Sequence, residues 1–228
     1  MNCCRDGASS SYIEKLDVNS RTKRRIVYHL AACGVGAACS AVIYILFSKR
    51  EIVGRLSIAT AYGALGLCAV ALLVGPWRTL RSQPNPVSYD LRRDFGIWAG
   101  IFALLHTAIG LNVHLRGRMW LYFVDEHGRW RTSAFGFGNY TGTLAALLFI
   151  WLLAISNDAS LRRLGAVRWK SWQRWTYVAV ALTFAHGLLY QHLEKRALLY
   201  HVVYIAIIAA VTVVQVAGVW HRQRTLRN

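Results

Sequence analysis

Acidic residues are scarce in this chain: 10 Asp and Glu stand against 27 Lys and Arg in 228 residues, for a formal net charge of +17. Charge of either sign is thin, at 16% of residues, while 55% are hydrophobic. Soluble domains carry roughly a quarter of their residues as charges. So thin a polar coat excludes an ordinary soluble domain, and the hydrophobic content excludes a disordered chain. Cysteine is sparse and odd in number, at 5, which excludes a disulfide scaffold. The sequence also lacks a Gly-x-Gly-x-x-Gly fingerprint, a Walker A loop, a His-Glu-x-x-His pair and any Cys/His zinc spacing. It therefore holds no nicotinamide domain.

What the chain does have is long apolar runs separated by short basic clusters. Charge laid out this way does not form the single patch that binds nucleic acid. It follows the positive-inside pattern of membrane proteins, with the lipid bilayer as the main partner. Residues 1–25 are polar, close on Arg21, Lys23, Arg24 and Arg25, and contain no signal-peptide core. Cys3 and Cys4 there read as a plain cytosolic thiol pair, with acylation as the alternative.

Six charge-poor runs follow: Ile26 to Phe47, Leu56 to Trp77, Phe95 to Leu115, Thr132 to Asn157, Trp175 to Leu193 and Ala197 to His221. Each is near or above the roughly 20 residues that cross a bilayer as a helix. Backbone groups in lipid must be satisfied within the segment, so these runs are helices. The expectation is an all-α membrane protein, a six-transmembrane-helix bundle over 26–221, with a cytoplasmic segment 1–25 and a cytoplasmic tail 222–228. The fourth helix is expected to begin near Tyr140, because Thr132 to Asn139 is polar and Gly-rich. Pro76 is expected at the end of the second. Two-thirds of the 27 basic residues fall on the side of the two termini, which places both termini in the cytoplasm. Trp77, Trp169, Trp172, Trp175 and Trp220 then cluster at inner helix ends, and Trp120 and Trp130 in an outer loop, as interfacial belts do.

Ionisable residues inside spans are functional candidates by default. Here they are histidines: His29, His106, His186 and His201. His106 lies twelve residues after Asp94, and His186 twelve after Arg174, at the same depth on two helices of the same direction. At 1.5 Å per residue each is about 18 Å from its inner end. Two imidazoles so placed can clamp one flat ligand, and a bis-histidine b-type haem meets that requirement. Each alone also reads as an ordinary helix–helix hydrogen-bonding residue. His29 has no histidine at its depth. His201, near the outer face, is an alternative ligand or a contact to a haem propionate. Arg55, at the start of the second span, either pairs with a carboxylate there or snorkels to the headgroups. His114, His127, His192 and His221 read as solvated. Gly96-x-x-x-Gly100 permits close helix approach.

Two ordered segments carry a resemblance. Arg92-Arg93-Asp94-Phe95-Gly96-Ile97-Trp98, then Leu105-His106, resembles the Arg-Arg-x-Leu-Gly-Leu-Trp … Leu-His segment of the ferric-reductase-like transmembrane family. Leu161-Arg162-Arg163-Leu164-Gly165, Arg168-Trp169, Trp172-Gln173-Arg174, Tyr177 and His186 resemble a second family segment, and Gly54-Arg55 the start of its second span. The nearest branch is that of MsrQ (YedZ), haem-binding membrane subunits of a methionine sulfoxide reductase system. The resemblance covers roughly residues 50 to 200. It departs at Gln173, where the family has a histidine, and at Arg93, where two-haem reductases have another.

The resemblance implies one haem b on the outer side, held by His106 and His186, and FMN at the inner side. It implies electron transfer from a cytoplasmic flavin reductase or a quinol to a periplasmic redox partner protein across a bacterial inner membrane. The membrane component of a ferric or metal reductase would share the fold. A cofactor-free transporter or assembly subunit would show inverted repeats or paired broken helices, and the sequence shows neither.

Overall fold

The computed structural model describes residues 6–48, 50–84, 89–113, 115, 118–193, 198–225 and 227, and at 6–18 and 199 the backbone alone. The described chain is helical: α1 (Asp6–Leu46), α2 (Ile52–Leu80), α3 (Asp90–Gly110), α4 (Ala134–Ile155), α5 (Asp158–Gln173), α6 (Trp175–Leu193) and α7 (Leu198–Thr225). Among the described residues the other regular features are a one-turn 3₁₀ helix, Met119–Tyr122, and a lone bridge between Val124 and Trp130. Cys3, Cys4 and His114 lie outside the described residues.

Four helices are long and apolar enough to cross a membrane: Asn19–Leu46 of α1, α2, α4 and Tyr200–Thr225 of α7. Six were expected from the apolar runs. α3 falls short because Asp90, Arg92, Arg93 and Asp94 occupy its first turns and the helix stops at Gly110 rather than Leu115. α6 has 19 residues, diluted by His186, Gln191 and His192. The outward faces carry exposed large side chains such as Leu30, Ile45, Leu147 and Val213, as a protein in an apolar solvent does.

Side-chain contacts fix the helix directions. Tyr44 meets Arg55 and Gly36 meets Gly63, so α1 and α2 are antiparallel. Ser57 meets His106 and Gly63 meets Phe102, which makes α2 and α3 antiparallel. Gly138 meets His186 and Trp151 meets Trp175, so α4 and α6 are antiparallel. Leu72 meets Gln215 and Pro76 meets Gly218, so α2 and α7 run parallel. The long helices therefore alternate up and down. α2 is central and packs on α1, α3 and α7. We call lower the end where α3 starts, and upper the end where α1 stops.

At the lower end α1 and α3 are locked in register. Arg21 donates to Asp90 (2.9 Å), Arg25 to Asp94 (2.7 Å), and the Trp98 indole N–H to His29 Nδ1 (3.2 Å). Each rung joins residues 69 apart, and the rungs recur every four residues on both helices. Two parallel helices of equal rise require that constant offset. Arg93 extends the network to Asp158 of α5 (2.6 Å). The Arg21 guanidinium holds the Asp90 carboxyl below the usual carboxylate range. Burial raises the Asp158 carboxyl, but Arg93 and Arg21 outweigh it and hold it low as well.

Three boundaries differ from expectation for identifiable reasons. α4 begins at Ala134, not near Tyr140, because Ser133 Oγ accepts the Gly136 N–H (3.4 Å) and caps it. The glycines there serve close packing rather than a loop: a Cβ on Gly138 would sit 3.0 Å from the Tyr190 ring. α2 continues past Pro76 to Leu80. Proline has no N–H for the carbonyl four residues back, and Gln215 Nε2 from α7 donates to that Leu72 carbonyl instead (2.8 Å). The fourth-to-fifth connection is helical as α5, broken at Gly165 (φ 72°, ψ 160°). Trp169, expected at the interface, is 4% exposed, and its indole N–H donates to the Ile155 carbonyl (2.9 Å). It pins α5 beneath the lower end of α4.

Candidate functional site

His106 and His186 come together. Their ring centroids are 5.9 Å apart with planes 70° to each other. His106 lies one turn before the end of α3 and His186 in the upper half of α6. Each ring is turned by a carbonyl on the neighbouring helix. His106 Nδ1 donates to the Ser57 carbonyl of α2 (2.8 Å) and His186 Nδ1 to the Gly138 carbonyl of α4 (2.8 Å). The two acceptors are alike in a further respect: a threonine three residues on, Thr60 or Thr141, donates to the same carbonyl at 3.0 Å.

These contacts decide the tautomer. A carbonyl only accepts, so Nδ1 carries the proton in both rings. In the neutral imidazole the lone pair is then on Nε2, the form in which histidine ligates a metal. Small residues let the helices approach the rings. A Cβ on Gly142 would sit 2.6 Å from His186 Nδ1, so α4 can pass His186 only as glycine.

The pair faces a cavity of about 180 Å³ among α2, α3, α4, α6 and α7. Its lower wall is mostly apolar, with Ala61, Leu65, Ala103, Ala146 and Phe149 beside Tyr62 and Thr183; its upper wall holds Arg50, Tyr122, Asn139, Tyr190 and Gln191. The segment after α3 roofs it. Asn139 Nδ2 donates to the Tyr122 carbonyl (2.8 Å), the Tyr122 hydroxyl to the Gly110 carbonyl (3.1 Å) and the Tyr140 hydroxyl to the Phe123 carbonyl (2.7 Å). The Tyr190 ring packs against His186, centroids 4.8 Å apart, and its hydroxyl donates to Asn139 Oδ1.

The other candidates lie elsewhere. Arg55 donates twice to the Tyr44 carbonyl (3.1 and 2.9 Å), and its guanidinium stacks 3.7 Å over the Tyr44 ring. It thereby closes the last turn of α1 and does not line the cavity. His201 is in the first turn of α7, half-buried, and does not line it either. His29 accepts from Trp98 and faces Asp94 at 3.4 Å, within the lower network. Gln173 Nε2 donates to Ser156 Oγ (3.2 Å), tying α5 to the end of α4. His127 and His192 are exposed, and His221 is half-buried.

A second, smaller cavity of about 30 Å³ lies lower in the bundle, walled by Cys68, Leu72, Val180 and Phe184 among others. It has room for a water or two and no imidazole in its wall. Among the described residues no group of three or more His, Cys, Asp or Glu is placed to hold a metal ion. The residues that sequence reasoning missed are Ser57, Gly138 and Gly142, which act through backbone or absent side chain, and Gln191. No family model matches the sequence.

Proposed function

We propose that the chain is a six-span membrane protein of a bacterial inner membrane, with both termini cytoplasmic, that holds one b-type haem between His106 and His186 and passes electrons to an acceptor at the outer face. α3 and α6 are the two spans beyond the four that length and composition single out; alternation of direction carries them from lower to upper end. The lower end, with α5 and its basic residues, is then the cytoplasmic one.

The observation that carries this reading is the matched imidazole pair. Both rings hold the metal-ligating tautomer, and with centroids 5.9 Å apart the two would be near enough to hold one group together. Two imidazoles under-coordinate a bare ion, and among the described residues no third His, Cys, Asp or Glu stands with them. A porphyrin would complete that set with its own nitrogens, and its apolar body would suit the mostly apolar lower wall of the cavity. When bound, haem supplies one-electron chemistry. His106 and His186 would hold it, Ser57 and Gly138 fix the tautomer of the two rings, and Tyr122 and Asn139 would shield it from water. We propose one haem rather than two because Gln173 and Arg93 stand where the family that the chain resembles carries histidines.

The donor is a quinol in the bilayer or a cytoplasmic flavin reductase, and FMN belongs to the proposal by resemblance alone. The acceptor is a periplasmic redox protein, and the resemblance names the catalytic subunit of a methionine sulfoxide reductase. The test is electron flux in proteoliposomes, from a membrane-soluble quinol to an impermeant acceptor on the upper face. Flux that falls to the protein-free background in His106→Ala and His186→Ala supports the proposal; unchanged flux in both sinks it. A ferric chelate accepting faster than the reductase subunit would turn the reading to a metal reductase.

A further inference from the structure

Gln191 is 2% exposed, and nothing among the described residues donates to its Oε1. An unmatched buried amide is costly, on the order of 1–3 kcal/mol, and calls for a partner. The side chain stands in the upper wall of the main cavity. It follows His186 by five residues, about 7.5 Å nearer the upper end. Its two heads are nearly isosteric, so a half-turn of the amide presents Nε2–H in place of Oε1. Arg50 stands in the same wall, while the opposite wall is mostly apolar, with Leu65, Ala103 and Phe149 beside Tyr62 and Thr183.

A b-type haem has the same polarity. One edge bears two carboxylates and the opposite edge only methyl and vinyl groups. We infer that Gln191 is a binding residue for the carboxylate edge of the haem and so sets that edge toward the upper end, the role that the sequence suggested for Arg55. The inference rests on the haem reading of His106 and His186. It is separable from it, because ligation needs only the two imidazoles, while orientation needs the amide.

The experiment is a cycle between side chain and cofactor. Wild type and Gln191→Met, which keeps the volume and removes both polar heads, are each loaded with native haem and with haem whose two carboxylates are methyl esters. Loss of haem to an excess of scavenging apoprotein is timed in detergent. A hydrogen bond to a charged group of about 1.4 kcal/mol makes Gln191→Met lose native haem roughly tenfold faster, and that gap closes with the ester. Gln191→Glu is the second variant. Its carboxylate opposes those of the haem, so its loss of native haem quickens as pH rises, and its loss of the ester does not. Equal acceleration of native and esterified haem in Gln191→Met would show a structural or water-filled role and overturn the inference. So would no acceleration at all. A wild type that takes up neither haem would remove the underlying reading as well.

Discussion

At the scale of single residues, the histidines were legible and their supports were not. An imidazole in a lipid-spanning run stands out, and equal distances from Asp94 and Arg174 already paired His106 with His186. The partners of those rings are the carbonyls of Ser57 and Gly138. Every residue has a carbonyl, so no side-chain pattern could mark them. Gly142 is similar: its role is the absence of a Cβ beside His186. The account predicts that Gly142→Ala lowers haem content well below that of wild type and costs about 1–3 kcal/mol of stability through overpacking. Gly34→Ala, where an added Cβ meets nothing within 4 Å, is the control and leaves both unchanged. Haem per chain and thermal unfolding in one detergent check the pair. For Arg55 the sequence left a carboxylate contact and snorkelling open, and the partner it meets, the Tyr44 carbonyl left over at the end of α1, is a backbone group that no side-chain pattern marks.

At the scale of elements, apolar length located the helices, and tertiary partners set their ends. Pro76 lies inside α2 because Gln215 on α7 meets the Leu72 carbonyl that proline orphans. Gln215→Leu should cost about 1 kcal/mol. The cost should vanish in a Pro76→Ala background, where residue 76 regains its N–H. Equal costs in both backgrounds, measured by denaturant unfolding in detergent, would refute the assignment. The register of α1 on α3 is a matter of charge. Asp94 is fully buried, and Arg25 and His29 face it. Asp94→Ala takes the buried carboxylate from Arg25, whose side chain is a quarter exposed and so stays partly hydrated, and should cost about 1–3 kcal/mol. The pH dependence has a definite sign. Asp90 and Asp158 have native pKa values below those of the unfolded chain, so their stabilisation is complete above about pH 3.9. It is lost as pH falls through the lowered native values. Thermal stability should therefore be flat near neutrality and fall below about pH 4. The fall should be smaller in the Asp90→Asn, Asp158→Asn double variant. None of this network could be seen in sequence as more than basic and acidic residues near helix starts. The constant offset of 69 residues exists only once the helices are laid side by side.

At the scale of the whole molecule, the division of labour runs from end to end. The lower end is charged and cross-tied through α1, α3 and α5, and the upper end is roofed and holds the cavity. Apolar runs sufficed to read an all-helical, membrane-suited chain, because lipid leaves the backbone no other choice. They did not separate α3 and α6 from the four plainly apolar helices. The residues that shorten or polarise those two, Asp90 to Asp94 and His186 to His192, are the ones used by the ion network and the cavity. A pyridine haemochrome count with a reduced-minus-oxidised spectrum on the detergent-purified chain decides whether the histidine pair holds a haem. The account predicts a low-spin b-type spectrum at one haem per chain. It also predicts loss of that haem in both His106→Ala and His186→Ala, and its retention in Gln173→Ala. A wild type without haem after expression with ample haem supply, or full haem in both histidine variants, would contradict it.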